Sequence, residues 1–192
     1  MSYLVIDTET TGLTFDHLRA DAPEQPRMAS CALLFVNDSL ELEHEWNGLI
    51  KPDGWTMPAE VERINGLSTE KLLASGGAVF YSLAIYGAAV DTGRVVVAHN
   101  IHFDTKIIRG ELRRSGLSDR YNQTRTICTM IHGRRVCGRG SLAFVHETLC
   151  GAKLQDAHSA RADAHACLRV LRELSRRAGN PSMLVNLPRV AA

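Results

Sequence analysis

The sequence predicts an α/β protein in which a mixed sheet with an antiparallel edge is covered by helices. Three observations favour this class. Residues 3–6 form a short unbroken apolar run that ends in polar residues and a glycine, and two strand-like segments lie between residues 28 and 50. Further along, helical periodicity alternates with another strand-like segment at 94–98. An unbroken apolar run is typical of a strand buried on both faces, so residues 3–6 are predicted to form the central strand.

The first half of the chain predicts a hairpin after the central strand. The polar stretch 14–26 contains two prolines and is predicted to be a loop. Residues 28–36 and about 40–50 have strand composition on either side of an Asn-Asp-Ser turn, so they are predicted to pair as antiparallel neighbours. Helices are then predicted at residues 58–64, 68–74 and 78–90.

The second half predicts a βα unit followed by terminal helices. Residues 94–98 form a buried strand, and residues 101–115 have apolar positions at helical spacing. The remaining predicted elements are a short strand at 124–127 and helices at 141–150 and 159–177. A polar tail is predicted from residue 179, which gives one domain at residues 1–178 and a C-terminal tail at 179–192.

The composition is typical of a globular protein. The chain is 45% hydrophobic and 22% charged, with a formal net charge of +1, so any attraction to nucleic acid must be local. No membrane span or leader pattern is found, and a cytoplasmic location without membrane association is expected. The scattered cysteines argue against a disulfide framework, and Cys128, His132 and Cys137 lack a convincing fourth zinc ligand.

Four carboxylates occupy positions that the patterns predict to face inward. Asp7 and Glu9 share one face of the first strand because strand side chains alternate. Asp104 and Asp163 each share a helix face with the apolar residues that follow at helical spacing. A cation such as Mg²⁺ or Mn²⁺ would relieve their repulsion. Taken alone, the Asp7 and Glu9 pair is more often solvated, and Asp163 is equally explained by the helix dipole.

His158 precedes the last predicted helix, for which Ser159 is the predicted N-cap residue. In that loop its side chain can lie close to the carboxylates. Without the acids, the better interpretation of His158 would be an ordinary surface histidine. Asp163 follows five positions later, which gives an H-x-x-x-x-D pattern.

Three motifs in order resemble those of the DEDDh exonucleases, the family of the proofreading epsilon subunit, ribonuclease T and oligoribonuclease. They are DTETTGL at residues 7–13, AHNIHFD at 98–104 and HSARAD at 158–163. Residues 64–68 also resemble the family's Ile-His-Gly-Ile-Thr stretch, with Asn65 in place of histidine. The family often has a glutamate in its second strand, and residues 28–32 contain none.

The resemblance implies a ribonuclease H-like fold with a five-stranded mixed sheet and 3′-to-5′ exonuclease activity. It also implies two divalent ions, Mg²⁺ or Mn²⁺, held by the four carboxylates, with His158 as the general base. The metal ligands would be Asp7, Glu9, Asp104 and Asp163. The substrate contacts would come from Thr10, Thr11, Leu13, Ile64, Leu67, His99, Asn100 and Phe103. Core packing is an equally good interpretation of Phe103.

The implied substrate is nucleic acid with a free 3′ end, with single strands favoured. The choice of DNA or RNA, and any polymerase or homodimer partner, stay open. The basic, glycine-rich segment 133–141 has arginine where a phosphate-binding loop needs lysine, which argues against a nucleotide-triphosphatase site. It is interpreted either as a clamp for a nucleic-acid backbone or as a flexible connector. The alternative functions are a catalytically silent nucleic-acid-binding or polymerase-associated module and a phosphodiesterase for short or modified nucleotides.

Overall fold

The computed structural model describes residues 1–119 and 123–185, and it confirms the predicted α/β class. Within these residues, five strands form one mixed sheet in the order β3-β2-β1-β4-β5. The strands are β1 (Tyr3–Thr10), β2 (Met28–Val36), β3 (Leu42–Leu49), β4 (Val95–Ala98) and β5 (Thr126–Cys128). β1 is the central strand, as predicted, and it pairs antiparallel with β2 and parallel with β4.

The helices of the described residues cover both faces of this sheet. They are α1 (Ala59–Asn65), α2 (Thr69–Ser75), α3 (Val79–Asp91), α4 (Ile101–Arg114), α5 (Thr129–Cys137), α6 (Leu142–Cys150) and α7 (Ala160–Ala178). All except α5 correspond to helices predicted from the sequence.

The interpretation of residues 133–141 as one glycine-rich loop was wrong in its first half, because residues 133–137 belong to α5. Gly133 faces Val145 of α6, where an added Cβ would lie 2.7 Å from Val145 Cγ1. The glycine therefore allows two helices to approach closely. Only residues 138–141 connect α5 to α6.

The side chains of β1 alternate between two apolar layers, as those of a buried strand must. Tyr3 and Val5 pack in a core with residues of α6 and α7, while Leu4 and Ile6 pack in a core with residues of α3 and α4. Burial on both faces explains the unbroken apolar run. The two acidic residues that follow on the first face consequently point toward α7.

The predicted C-terminal tail begins with ordered structure. Residues Pro181–Leu184 form a short 3₁₀ helix, and Leu184 is buried in the core beside α7. A ring nitrogen of His132 in α5 lies 3.0 Å from the Leu184 carbonyl oxygen. The boundary at residue 178 stays a prediction, and residues 186–192 of the tail lie outside the described part of the chain. None of the described helices combines the length and the apolar character that a membrane span requires.

Candidate active site

Three carboxylates meet at the C-terminal end of β1. Asp7 and Glu9 of β1 and Asp163 in the first turn of α7 each offer an oxygen, and these oxygens all lie within 4.8 Å of one another. The alternation of β1 directs both of its acids to the side on which α7 packs. We call these residues the three-acid group. Oxygens at this spacing can share one hard divalent cation.

Asp163 has one oxygen with a hydrogen-bond donor and one without. The Oδ2 atom accepts a hydrogen bond of 3.1 Å from the backbone N–H of His158. The Oδ1 atom is buried and has no hydrogen-bond partner among the described residues. A buried acceptor left unpaired costs about 1–3 kcal/mol, and a bound cation would remove that cost. This orphaned oxygen shows that the three-acid group fits a metal ion.

Asp104 approaches the same region from α4, on the opposite face of the sheet. Its side chain is buried, and its Oδ1 atom accepts hydrogen bonds of 2.9 Å from both the backbone N–H and the hydroxyl of Thr8. Asp104 is not a member of the three-acid group found in the described residues. Its charge nevertheless contributes to raising the pKa of Asp7. The structure thus brings three predicted ligands together and places the fourth close behind them.

Burial opposes the ionisation of all four carboxyl groups, and the charges of neighbouring acids add to this for Asp7, Glu9 and Asp104. Burial, followed by the charge of Asp163, raises the pKa of Glu9 to about 7, and a hydrogen bond from Asn65 opposes this rise. Burial raises the pKa of Asp104 to about 7 and also raises the pKa of Asp163. Burial and the three neighbouring acids hold the pKa of Asp7 well above its ordinary value. A divalent cation favours the charged forms, so this donor set suits Mg²⁺ or Mn²⁺.

His158 lies beside the acids and is exposed to solvent. Its backbone has φ of +65°, in the left-handed region, and its N–H is held by Asp163. Ser159 is at the predicted N-cap position of α7, although its side chain makes no capping hydrogen bond. The backbone of His158 is therefore fixed to an acid while its ring remains accessible, which is compatible with the predicted role of a general base.

The predicted substrate residues Thr10 and Thr11 have protein partners for their hydroxyl groups. The Thr10 hydroxyl donates to the Gly12 carbonyl oxygen at 2.6 Å, and the Thr11 hydroxyl accepts from the Arg27 backbone N–H at 2.9 Å. These contacts shape the turn after β1. The turn presents Leu13 to solvent, with 82% of its surface exposed.

The end of α1 and the residues just after it supply one exposed and one buried member of the predicted substrate set. Ile64 is 60% exposed, whereas Leu67, just after α1, is 6% exposed and belongs to a small core. Between them, Asn65 donates to the Thr10 carbonyl oxygen at 3.4 Å and accepts from the Leu67 backbone N–H at 3.0 Å. Asn65 therefore joins the end of α1 to the end of β1. The sequence marked Asn65 only as a departure from the family pattern.

The three predicted substrate residues after β4 surround the beginning of α4. The ring nitrogens of His99 lie 3.0 Å from the Thr129 hydroxyl and 2.7 Å from the Gly140 carbonyl oxygen, and burial lowers the pKa of His99. Asn100 is the N-cap residue of α4 with φ of 77°, a left-handed conformation that asparagine tolerates. Phe103 is partly buried against the core beside α3 and α4, which favours the packing interpretation.

Two buried polar side chains hold the loop between β1 and β2, and the sequence did not predict either of them. Gln25 donates to the Phe15 carbonyl oxygen at 2.8 Å and accepts from the Phe15 backbone N–H at 3.0 Å. Lys106 of α4 donates to the same Phe15 oxygen at 2.6 Å. The Lys106 contact spans 91 residues, and the Gln25 contacts lie within an irregular loop, so no periodic pattern could indicate them. They order the loop that follows Leu13.

Comparison with known proteins agrees with this geometry. The family model RNase_T, described as Exonuclease, matches residues 4–171, a range that contains all four carboxylates and His158. The chain belongs to this exonuclease family. The resemblance to DEDD-type exonucleases, inferred from the motifs, is thereby confirmed.

Similar proteins carry this exonuclease-family domain within longer chains. A Mycobacterium tuberculosis (strain CDC 1551 / Oshkosh) protein named as a bifunctional exonuclease/endonuclease is 27% identical over 183 residues, which are 93% of this chain and 27% of that protein. Zinc-bound E. coli exonuclease I in complex with single-stranded DNA has a TM-score of 0.75 at 16% identity, with 93% of this chain and 41% of that one covered. Exonuclease I from Methylocaldum szegediense has a TM-score of 0.74 at 21% identity, with 94% and 41% covered. These similarities confirm the ribonuclease H-like fold, and this chain spans less than half the length of each of these proteins.

Proposed function

We propose that this exonuclease-family domain is a metal-dependent 3′-to-5′ exonuclease that releases nucleoside 5′-monophosphates from nucleic acid. The observation that carries the proposal is the three-acid group with its orphaned, buried Asp163 oxygen. The single-stranded DNA bound to the similar E. coli exonuclease I supports nucleic acid as the substrate class.

The proposed chemistry assigns a task to each polar residue of the site. Asp7, Glu9 and Asp163 would hold one divalent ion, and Asp7 with Asp104 would hold a second. When bound, such ions stabilise the charge that develops on the attacking and leaving oxygens of an in-line displacement at phosphorus. His158 accepts a proton from the attacking water as the new P–O bond forms and the bond to the 3′ oxygen breaks. Histidine suits this task near neutral pH.

Two exposed apolar side chains lie on separate elements that are joined to the end of β1. Leu13 extends from the turn after β1, and Ile64 extends from α1, whose end is tied to β1 by Asn65. We assign these two side chains to the terminal base, because apolar contact with a base is independent of sequence. The other predicted contacts are Thr10, Thr11, Leu67, His99, Asn100 and Phe103, and we propose that they shape this pocket from behind.

The proposed function is tested with single-stranded DNA and RNA labelled at the 3′ or the 5′ end, incubated with Mg²⁺, Mn²⁺ or EDTA. We expect mononucleotides to be released from the 3′ end only when metal is present. Asp7→Asn should abolish cleavage, and His158→Asn should slow it about 10²–10⁴-fold. His44→Asn, an exposed histidine in β3, is the matched control and should retain full activity.

Full activity of Asp7→Asn, or release of nucleotides from the 5′ end, would overturn the proposal. Binding of the labelled strands without cleavage in either metal would instead favour the silent binding module. A series of substrates from dinucleotide to long strand separates an exonuclease from a phosphodiesterase for short nucleotides.

A further inference from the structure

Three arginines on the outer side of α5 and just after it have no acidic partner in the described part of the chain. Arg134, Arg135 and Arg139 are exposed, and none of the ion pairs in residues 1–119 and 123–185 includes them. By contrast, Arg27 and Arg161 each pair with a glutamate. We call the three unpaired residues the basic strip. Clustered arginines without counter-charges are the usual electrostatic footprint of a polyanion site.

The connection after α5 is fastened to the active-site edge of the sheet. The Nε2 atom of His99 lies 2.7 Å from the Gly140 carbonyl oxygen. The parallel pairing of β1 with β4 extends to Val5 and Val97, and His99 follows directly after β4. Neighbouring strands are about 4.8 Å apart. Gly140 is therefore in contact with a residue that directly follows β4, the strand beside β1.

Packing of the arginine stems determines where the basic strip lies. An added Cβ at Gly140 would lie 3.6 Å from the Arg134 Cβ, so the Arg134 stem runs alongside Gly140. The Arg139 guanidinium carbon lies 5.3 Å from the centre of the Phe144 ring in α6. Arginine packs its stem against apolar groups while its charged end stays in water. The basic strip thus lies on the last turn of α5 and on the connection that His99 holds beside the end of β4.

We propose that the basic strip binds backbone phosphates of the substrate strand, upstream of the 3′-terminal nucleotide held at the acids. This inference rests on the proposed function and adds the path by which the strand leaves the site. Guanidinium groups bind phosphates regardless of base sequence. The strip therefore increases affinity for strands long enough to reach it and has no effect on a dinucleotide.

Dependence on strand length tests the proposal. Steady-state cleavage of a dinucleotide and of a 12-nucleotide strand is measured with Mn²⁺ for the wild type and for the triple variant Arg134→Gln/Arg135→Gln/Arg139→Gln. The triple variant should raise KM for the long strand about tenfold, with kcat and dinucleotide cleavage unchanged. Each phosphate contact on a single strand contributes about 0.7 to the magnitude of the slope of log(kcat/KM) against log(salt). Loss of three such contacts should therefore reduce that magnitude by about two.

A matched pair of double variants controls for the change in net charge. Arg134→Gln/Arg135→Gln removes the basic residues from the last turn of α5, and Arg176→Gln/Arg177→Gln removes those from the last turn of α7. Only the α5 variant should raise KM for the long strand. An equal rise in both variants, or an unchanged KM and salt slope in the triple variant, would overturn the basic strip.

Phosphate binding by the basic strip can be rejected without rejecting the proposed exonuclease activity. Metal-dependent cleavage by the wild type together with an unaffected triple variant would reject the strip and retain the exonuclease. If the wild type cleaves neither substrate, fluorescence anisotropy with the 12-nucleotide strand decides the matter. The proposal for the basic strip then predicts that the triple variant binds the 12-nucleotide strand more weakly than the wild type. Equal binding by the two proteins rejects it.

Discussion

Replacement of Glu9 by glutamine should stabilise the metal-free protein even though it removes a proposed metal ligand. Burial, followed by the charge of Asp163, raises the pKa of Glu9 from 4.5 to about 7. Glutamine has nearly the same shape and keeps an oxygen that can accept the hydrogen bond from Asn65. The substitution therefore removes a disfavoured charge without creating a cavity.

Linkage gives the sign and the size of this effect. The fold favours the protonated form of Glu9, so its contribution to stability is complete below pH 4.5 and is lost as the pH rises through about 7. At pH 8 this shift in pKa corresponds to a loss of about 3 kcal/mol in the free energy of unfolding. Solvent screening of the partly exposed carboxylate reduces the expected gain in the free energy of unfolding to about 2 kcal/mol. Near pH 4.5 the wild type and Glu9→Gln should be equally stable.

Urea unfolding in EDTA measures this effect when it is repeated at an acidic and an alkaline pH. Glu60→Gln, at an exposed site in α1, controls for the loss of one negative charge and should change stability little at either pH. Added Mn²⁺ should stabilise the wild type more than Glu9→Gln, because the variant has one ionised ligand fewer. The reasoning is refuted if Glu9→Gln is less stable than the wild type at pH 8 in EDTA, or if its gain is the same at both pH values.

Three further predictions concern the metal, helix packing and a buried ion pair. Mn²⁺ should raise the unfolding temperature more at pH 8 than at pH 5.5 in calorimetry, because carboxyl groups with raised pKa values must release protons to bind it; equal shifts would contradict this. Gly133→Ala should lower the free energy of unfolding in urea by about 1–3 kcal/mol, since the added Cβ would lie 2.7 Å from Val145 Cγ1. The control is Gly87→Ala in α3, whose added Cβ has no atom within 4 Å and which should be neutral or stabilising. Similar unfolding midpoints for the two variants would count against this packing. Glu111→Gln should lower the free energy of unfolding by about 3 kcal/mol, because Glu111 is 1% exposed and forms an ion pair of 2.8 Å with Arg27. Wild-type stability of this variant in the same assay would contradict the prediction.

Two strands of the sheet, β1 and β4, could be predicted from burial alone. β1 and β4 are covered on both faces, and such strands have unbroken apolar runs wherever they occur. α5 was missed because a central glycine lowers helix propensity by about 1 kcal/mol. Contact with Val145 of α6 requires that glycine, and this requirement becomes visible only when the two helices are placed together.

The acids could be located from the sequence because the periods of strands and helices determine which side chains share a face. The partners of Asp104 could not be located in the same way. Thr8 donates two hydrogen bonds to one oxygen of Asp104, and the pair is 96 residues apart in sequence. The path of α4 over β1 decides that contact. For the same reason, the sequence predicted one group of four acids. In the structure three of them lie together, and Asp104 is hydrogen-bonded to Thr8.

The contacts of His99 argue for a positional role at the active-site edge. The Gly140 carbonyl oxygen can only accept, so Nε2 of His99 carries a proton, while Nδ1 lies 3.0 Å from the Thr129 hydroxyl. Burial lowers the pKa of His99, which keeps the ring neutral. Thr129 begins α5 and Gly140 follows it, so one ring holds both ends of that segment to β4. A histidine held in this way orders the connection after α5, whereas the exposed His158 is the residue that we propose as the general base.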